Sequence, residues 1–352
     1  MDQLRQHCEE RLSLLFSFKD RLWVRHRLKM EFEVIEANGQ LESFEQAEWA
    51  VELLKLQGCT FQLVGAGSSS LVSYLMGFSD VNPWEYGLHY ERFLEANSSG
   101  KIHFQFLVHP PIGREIDDSH SVKSSTFDTV RIQPATLLES LPSLVTQAIQ
   151  GTFPGFGLTS IPLNDVATFK ALITNSVQEI EGSEILSEMK PRCLTDIAAC
   201  TAIRTQDLHD RRILKEFIRR KSTPAQRRSE SWLVERMLLE TRGMILFQEQ
   251  IMLMMNQLAD IPLTDAYQFI KAVCKQQWEH VATIREWFMV GSKGNGIEES
   301  VAHTLFQEIM NTAATSACKA HHLSRALTLY RTAFLKTHFP SQFSMILQTV
   351  QQ

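Results

Sequence analysis

The segment CTFQLVGAGSSSLVSYLMG, residues 59–77, decides the fold. Its first six residues predict a short strand, which runs into the Gly/Ser turn GAGSSS and then into an apolar helix. Glycine lets a backbone approach an anion closely, and the amides at a helix N-terminus favour an anion. The segment therefore predicts a strand, a turn and a helix, with Gly65, Gly67, Ser68 and Ser70 as candidate phosphate-binding residues.

The residues that precede this segment, 1–57, have helical periodicity. Apolar residues recur three or four positions apart, as in Leu28, Phe32 and Ile35. The pair Asn38-Gly39 and Gly58 are candidate helix ends. The N-terminal part is therefore predicted to consist of helices.

The residues that follow predict a second strand and a long loop. KIHFQFLV (101–108) alternates polar and apolar residues and stops before two prolines. Residues 109–128 are polar and rich in Ser and Asp, as expected of an exposed loop.

A stretch rich in Gly and Pro, GTFPGFGLTSIP (151–162), predicts the domain boundary. From Leu163 onward the sequence predicts helix almost throughout. Three long periodic segments carry that prediction: 231–259, 265–290 and 298–336.

Composition narrows the class of protein. The chain has 352 residues, a hydrophobic share of 44% and a net charge of −5, as expected of a globular protein without a general basic excess. Six scattered cysteines without a CxxC pair predict reduced thiols rather than a metal site or a disulfide framework. No stretch approaches the roughly 20 apolar residues of a membrane span, and no signal peptide is apparent. We expect a cytoplasmic protein that does not bind membranes.

Six blocks, in order, resemble the alpha subunit of bacterial DNA polymerase III, a C-family polymerase. The resemblance covers most of the chain. The blocks are RLKMEFEVI (27–35), VGAGSSSLVSYLMGFSDVNPWEYGLHYERFL (64–94), IPLNDVATFKAL (161–172), ETRGMILFQEQIM (240–252), NGIEESVAHTLFQEI (295–309) and RALTLYRTAFLKTHFPSQF (325–343).

The resemblance implies an α+β, mostly helical fold. A nucleotidyltransferase-like palm remnant with a small sheet would occupy 1–150, and a helical fingers domain 151–352. Only about 20 residues (109–128) stand where the family places its thumb, so no thumb is expected. The chain is also expected to lack the family's N-terminal hydrolase-like domain and its C-terminal clamp-binding and oligonucleotide-binding parts.

The family's catalytic strand reads PDxDxDF after its FERFL block. Counting from Arg92, the corresponding positions are His103, Gln105 and Leu107. Polymerases hold two Mg²⁺ ions with closely spaced carboxylates, and none of these three side chains is an anionic oxygen ligand. We therefore expect no catalytic residues, no metal and no cofactor.

The family's third aspartate has two candidate counterparts, Asp128 in STFDTV and Gln133 in VRIQPATL. Asp128 is a possible remnant of the metal site, but one carboxylate cannot hold two magnesium ions. A divergent Mg²⁺-dependent nucleotidyltransferase would have to recruit Asp117, Asp118 and Asp128 from the loop.

The resemblance adds three phosphate-binding candidates. Arg92 matches the arginine of the family's ERF block, Lys275 lies where the family has a basic stretch, and Lys319 matches its NKSH block. All three are also compatible with ordinary structural roles.

Basic residues concentrate between 211 and 228, where eight cations stand against only Glu216 and the preceding Asp210. Such a run suits nucleic-acid phosphates or an acidic partner, although charge runs are also common on solvated faces. The candidates are Arg211, Arg212, Lys215, Arg219, Arg220, Lys221, Arg227 and Arg228.

These observations favour an inactive homologue of the polymerase subunit. It would act in replication or repair by binding a protein partner and, more weakly, nucleic acid. The alternatives are a nucleic-acid-binding module that uses the 211–228 run, and the divergent nucleotidyltransferase.

Overall fold

The computed structural model describes residues 1–95, 100–109, 127–174, 176–180, 182–206, 211–222 and 232–351. Most of these residues are helical, and three short strands form one mixed sheet. The predicted α+β, mostly helical fold is confirmed.

The sheet consists of β1 (Thr60–Val64), β2 (Phe104–His109) and β3 (Val130–Pro134), in that spatial order. β1 pairs with β2 antiparallel, with Gln62 opposite Leu107. β3 pairs with β2 parallel, with Gln133 opposite Leu107. The two strands predicted from apolar and alternating runs are confirmed.

The helices account for the rest of the regular structure in the described residues. They are α1 (Asp2–Leu15), α2 (Arg21–Ala37), α3 (Leu41–Leu56), α4 (Leu71–Leu75), α5 (Leu137–Gln150), α6 (Val166–Ile173), α7 (Ser183–Met189), α8 (Leu194–Gln206), α9 (Arg212–Ser222), α10 (Trp232–Met237), α11 (Gln248–Ala259), α12 (Leu263–Cys274), α13 (Trp278–Gly294), α14 (Glu299–Ala313), α15 (Lys319–His338) and α16 (Pro340–Gln351).

The chain divides into two compact units. Unit 1 comprises Met1–Leu194 and Leu323–Gln352, and unit 2 comprises Thr195–His322. The domain boundary predicted at residue 150 concerns the family's domains rather than these units, and it stays a prediction.

Unit 1 contains the sheet, and one sheet face is buried by aromatic packing. Phe104 and Phe106 project from β2 and are fully buried. Phe44 of α3 and Phe78 contact Phe104 edge to face, with ring centroids 5.1 and 5.8 Å apart. Such pairs add to the hydrophobic burial of the rings, so this face fixes the sheet against the helices.

Unit 2 is helical, and its helices are shorter than the periodic segments of the sequence. Each of the segments 231–259 and 265–290 contains two helices rather than one. The breaks coincide with left-handed backbone at Arg242 (φ 59°) and Gln276 (φ 56°), which an α-helix cannot accommodate.

The third periodic segment, 298–336, is also divided, between α14 and α15. Within the break, Ala317 forms a β-bridge with Phe247, and the amide of Gln248 donates to the carbonyl of Ala317 at 2.8 Å. The backbone therefore bonds to another segment at this point instead of continuing the helix.

Within the described ranges, the structure contains no helix with the length and apolar character that a membrane crossing requires.

Candidate functional site

The second face of the sheet carries the positions that the sequence singles out. Alternation along the paired strands places eight side chains on this face. None of the eight is a carboxylate. They are Thr60, Gln62, Val64, Gln105, Leu107, His109, Arg131 and Gln133.

Gln105 and Gln133 meet at the centre of this face. The side-chain amide Nε2 of Gln105 donates to Oε1 of Gln133 at 2.7 Å, and both side chains are partly buried. This bond uses one donor and one acceptor of the two carboxamides, and the pair carries no charge. Two of the candidate positions are therefore joined by a neutral hydrogen bond.

His103 and Asp128 lie apart from this pair. His103 is exposed and precedes β2, and Asp128 precedes β3 with a side chain that is 79% exposed. The Asp128 carboxylate lies 3.4 Å from Nζ of Lys101. Of the two candidates for the third aspartate, the structure brings Gln133 beside Gln105. Asp117 and Asp118 lie outside the described residues.

Side chains of α15 bond to the same sheet. Nε2 of Gln62 donates to the carbonyl of Ser324 at 2.5 Å, and Oε1 of Gln62 accepts from the Thr328 hydroxyl at 2.9 Å. The Ser324 hydroxyl donates to the carbonyl of Leu63 at 3.0 Å. Partners some 260 residues apart give no local sequence signal, and these contacts were not predicted.

The Gly/Ser turn forms a 3-10 helix, Gly65–Ser69, that leads into α4. Gly65 has a φ of 79°, a region that side chains disfavour. Gly67 lies so close to Leu63 that an added Cβ would approach its Cδ2 at 3.2 Å. Gly65 thus provides the left-handed backbone of the turn, and Gly67 leaves room for the Leu63 side chain.

The first amides of α4 are occupied by a carboxylate of the chain itself. Glu31 of α2 is fully buried and accepts from the Ser70 hydroxyl at 2.8 Å and from the amides of Leu71 and Val72 at 2.9 and 3.2 Å. The donors that would face a phosphate at this helix end are therefore bonded to Glu31. The phosphate-binding role of the turn stays a prediction.

Arg27 completes this arrangement. Its Nε donates to Glu31 at 3.0 Å, and its two terminal nitrogens donate to the carbonyls of Leu88 and Ser69 at 2.8 and 2.7 Å. Arg27 and Glu31 are four residues apart on a helix, a spacing that favours an ion pair and could have revealed them.

Lys275 and Lys319 belong to unit 2, whereas Arg92 is half-buried in unit 1. Lys275 is exposed at the end of α12. Lys319 is buried, and its Nζ lies 2.9 Å from Glu240. Its amide donates to the buried Glu249 at 2.9 Å, so a second helix N-terminus also holds a carboxylate of the chain.

The cations of the 211–228 run differ in the contacts that they make. Arg227 and Arg228 lie outside the described residues. Lys221 contacts the buried Asp196 at 3.2 Å. Arg219 and Arg220 bond to Glu216, and these hydrogen bonds lower the pKa of Glu216 to about 2.

Three cations of α9 share one exposed face. Arg212, Lys215 and Arg219 are spaced by three and four residues and are all exposed, and Arg211 precedes them. The opposite side of the helix buries Leu214 and Phe217. An apolar face thus anchors α9 and leaves a row of positive charge toward solvent.

His109 ends β2 in a small polar cavity of about 100 Å³. Its Nδ1 lies 3.1 Å from the Ser140 hydroxyl, and the ring is buried. Burial lowers the pKa of His109 from 6.5 to about 4, although the nearby Glu139 opposes this shift.

This pKa predicts a stability that depends on pH. Folded His109 binds a proton more weakly than the unfolded chain does, so its contribution is present above pH 6.5 and is lost as the pH falls toward 4. We expect a loss of about 2 kcal/mol in the free energy of unfolding by pH 5. Urea titrations at pH 7.5 and 5 measure it.

The matched variant is His109→Asn, which retains an acceptor near Ser140 but does not titrate. The difference between the two pH values should shrink by about 2 kcal/mol in this variant. An unchanged difference would assign the pH dependence to other groups.

Among the described residues, no three His, Cys, Asp or Glu side chains are grouped as a metal ion would require. The residues on the second face of the sheet supply amide oxygens and one imidazole, which is not a donor set that Mg²⁺ prefers.

Two family models match the chain. The model of the bacterial DNA polymerase III alpha NTPase domain matches residues 2–100, and that of the alpha subunit finger domain matches residues 136–296. The strands that carry Gln105 and Gln133 lie between the matched ranges. The correspondence of Gln105 and Leu107 with the family's aspartates therefore rests on the count from Arg92.

Individual relatives of known name are alpha subunits of DNA polymerase III as well. DNA polymerase III subunit alpha of Pseudomonas aeruginosa is 30% identical over 241 residues, which is 64% of this chain and 20% of the relative. The Escherichia coli K12 subunit is 26% identical over 336 residues, 90% of this chain and 27% of the relative. The Halalkalibacterium halodurans subunit is 27% identical over 224 residues, which is 62% of this chain and 20% of the relative.

The chain thus spans between a fifth and about a quarter of the length of these relatives. The ranges matched by the family models contain the blocks at 27–35, 64–94, 161–172 and 240–252. This chain is a homologue of the bacterial DNA polymerase III alpha subunit, across that protein's NTPase and finger domains.

Proposed function

We propose that this chain is a non-catalytic homologue of the polymerase subunit and acts by binding rather than by nucleotide transfer. The observation that carries the proposal is the neutral pair of Gln105 and Gln133, at 2.7 Å, on a sheet face whose eight side chains include no carboxylate.

The chemistry of nucleotide addition explains why this observation matters. Two Mg²⁺ ions about 4 Å apart activate the primer hydroxyl and stabilise the charge that develops on the phosphate. Hard cations need anionic oxygen ligands to bind against water. The amide oxygen of Gln133 already accepts from Gln105, both side chains are neutral, and Leu107 offers no ligand.

Primer extension tests this proposal. We expect incorporation at background level with a primed template, all four dNTPs and Mg²⁺ or Mn²⁺, while an active alpha subunit extends the same primer. Titration calorimetry with Mg²⁺ and a dNTP should likewise show no binding heat. Extension above background would refute the non-catalytic role.

A variant separates real activity from a contaminating polymerase. Asp117→Ala with Asp118→Ala and Asp128→Ala removes the carboxylates that a divergent nucleotidyltransferase would have to use. Activity that persists unchanged in this variant would come from a contaminant. Activity that falls with it would belong to the chain and would favour the divergent nucleotidyltransferase with Asp128.

Nucleic-acid binding is the second candidate, favoured by the exposed row Arg212, Lys215 and Arg219 on α9. A row of cations on one helix face can follow phosphates, and such binding is salt-dependent because each contact releases counterions. The net charge of −5 confines this role to a local surface.

Replacement of Arg212, Lys215 and Arg219 by alanine should weaken binding to duplex DNA and flatten its salt dependence. Each phosphate contact contributes about −0.9 to the slope of log K against log salt, so the slope should fall by about 2–3. Fluorescence anisotropy with a labelled duplex at several salt concentrations measures it.

The control variant replaces Lys29, Lys55 and Lys293, three exposed cations outside the row, by alanine. It removes the same charge, so an equal loss of slope would show a general electrostatic effect. Equal slopes for the row variant and the wild type would exclude α9 as the binding surface.

The biological setting is part of the same proposal. The relatives are named as subunits of DNA polymerase III, so we place this chain in replication or repair, with a protein partner and in the cytoplasm. Co-purification from the native host, compared between wild type and variants, would identify the partner.

A further inference from the structure

Unit 2 contains a cavity of about 310 Å³, which is lined by residues of α9, α10 and α14. This volume is at the lower end of the range for small-molecule sites. It equals the space that about ten water molecules occupy in the liquid, so a ligand of roughly ten non-hydrogen atoms would fit. The cavity belongs to a different unit from the sheet, so an inference about it does not rest on the proposed function.

Part of the cavity lining is aliphatic. Val234 belongs to α10, Leu238 follows that helix, and Val301 and Leu305 belong to α14. Val234, Leu238 and Leu305 are buried in the hydrophobic core of unit 2, so core packing fixes their positions. The described residues that line the cavity include no aromatic ring, so the lining suits methylene groups better than a stacked planar ring.

The polar part of the lining accepts hydrogen bonds. Ser300, Thr304 and Glu308 are four residues apart on α14, so they lie on one face of the helix over about 12 Å. The Ser300 hydroxyl donates to Oε1 of Glu298 at 2.6 Å, and the Thr304 hydroxyl donates to the carbonyl of Ser300 at 3.0 Å. Each hydroxyl has thus used its one proton and can only accept from a ligand. The stripe selects an elongated ligand that donates.

Carboxylates outnumber cations in the lining. Arg220 is the one cation among the described lining residues, and it donates to Glu216 at 2.6 Å and to the carbonyl of Gly243. Glu235 and Glu308 also line the cavity, and α14 contains no Lys or Arg. Within the described ranges, the Glu308 side chain makes no hydrogen bond and no ion pair. An anion would therefore face two carboxylates, whereas a cation would be attracted.

Two further cations lie close in sequence and do not change this balance. Arg236 follows Glu235 on α10, but consecutive residues of a helix point in different directions, and Arg236 does not line the cavity. Arg242 lies 3.5 Å from the buried Asp196. The cavity therefore combines aliphatic side chains, acceptor groups and an excess of negative charge.

We propose that this cavity binds an aliphatic polyamine, a linear chain of methylene groups that carries ammonium groups. The methylene groups would pack against Val234 and Leu305, and the ammonium groups would donate to Glu235, Thr304 and Glu308. An ammonium group has three donors and no acceptor, which matches a lining of acceptors. Charge-assisted hydrogen bonds to the carboxylates supply the strongest contacts.

Isothermal titration calorimetry of the full chain with spermidine, in a buffer without nucleic acid, tests this site. We expect saturable binding of about one molecule per chain. Octanediol and suberate are the matched ligands, because both have an aliphatic chain of comparable length. Octanediol carries no charge and suberate carries two carboxylates, so neither should bind.

Variants of α14 locate the binding. Glu308→Gln removes the charge and keeps the shape of an exposed side chain, so the Kd for spermidine should rise about ten-fold. Glu299→Gln is the matched control, because Glu299 is 81% exposed on the same helix and does not line the cavity. It should change the Kd by less than about two-fold. Thr304→Lys places an ammonium group in the cavity and should abolish binding, while circular dichroism verifies that the variant is folded.

Several outcomes would overturn the proposal. Absence of saturable binding in the wild type is one, and equal affinity of the wild type and Glu308→Gln is another. Equal losses in Glu308→Gln and Glu299→Gln would indicate a general electrostatic attraction instead of a site. Binding of octanediol or suberate as tight as that of spermidine would exclude recognition of the ammonium groups. Tighter binding of acetyl-lysine methylamide than of spermidine would assign the cavity to a lysine side chain of a partner protein.

Discussion

Replacement of Glu31 by alanine should lower the free energy of unfolding of unit 1 by about 3–5 kcal/mol. The buried carboxylate accepts from Arg27, from the Ser70 hydroxyl and from the amides of Leu71 and Val72. Its removal leaves one buried cation without its counter-charge and several donors without acceptors, and both carry a large desolvation penalty. Urea unfolding followed by circular dichroism measures the loss.

Glu33→Ala is the matched control on the same helix. Glu33 is exposed and lies 3.7 Å from Lys29 at its closest, so its removal should change stability by less than about 0.5 kcal/mol. Glu31→Gln should lie between the two, because it retains one acceptor oxygen. Equal stabilities for the Glu31 and Glu33 variants would contradict the structural role assigned to Glu31.

Gly291→Ala should destabilise unit 2 by about 3 kcal/mol, at the upper end of the cost of overpacking. An added Cβ would lie 2.7 and 2.9 Å from the carbonyl carbon and Cα of Ala259, and nearer still to its carbonyl oxygen. These are backbone atoms at the end of α11, so the two helices must separate for the methyl group to fit. Hydrogen exchange should rise in α11 and α13.

Gly294→Ala serves as the control in the same helix. In the part of the chain that the structure describes, apart from its chain neighbours and its own helix backbone, no atom lies within 4 Å of the position its Cβ would take. Alanine is favoured over glycine in helices by about 0.5–1 kcal/mol, so this variant should be neutral or slightly more stable. A similar loss for both substitutions would show that the contact with Ala259 is not the cause of the destabilisation.

Periodicity was enough to predict most of the fold. Apolar residues at helical spacing predicted α1, α2 and α3, and the alternation in KIHFQFLV predicted β2. The breaks at Arg242 and Gln276 were not predicted, because neither residue is a glycine or proline, the residues that usually mark such breaks. Local propensity cannot reveal such positions.

The sequence indicated candidate positions for the site but not their contacts. A count along the chain singled out Gln105, and it left Asp128 and Gln133 as alternatives. Only the parallel register of β2 and β3 brings Gln105 and Gln133 within 2.7 Å. The roles of Glu31 and Glu249 at two helix N-termini were missed, since each bonds to amides at least 40 residues away.

The hydrogen-bonded pair of Gln105 and Gln133 also limits which substitutions could build a metal site on this sheet. After a single change of Gln105 to Asp, the amide of Gln133 could turn and donate to the new carboxylate, whereas a second change, of Gln133 to Asp, would place two negative charges together. The double variant is not stabilised until a divalent ion is bound, and Leu107 would still supply no ligand. A set of carboxylates able to hold divalent ions on this sheet face would therefore require several coordinated substitutions.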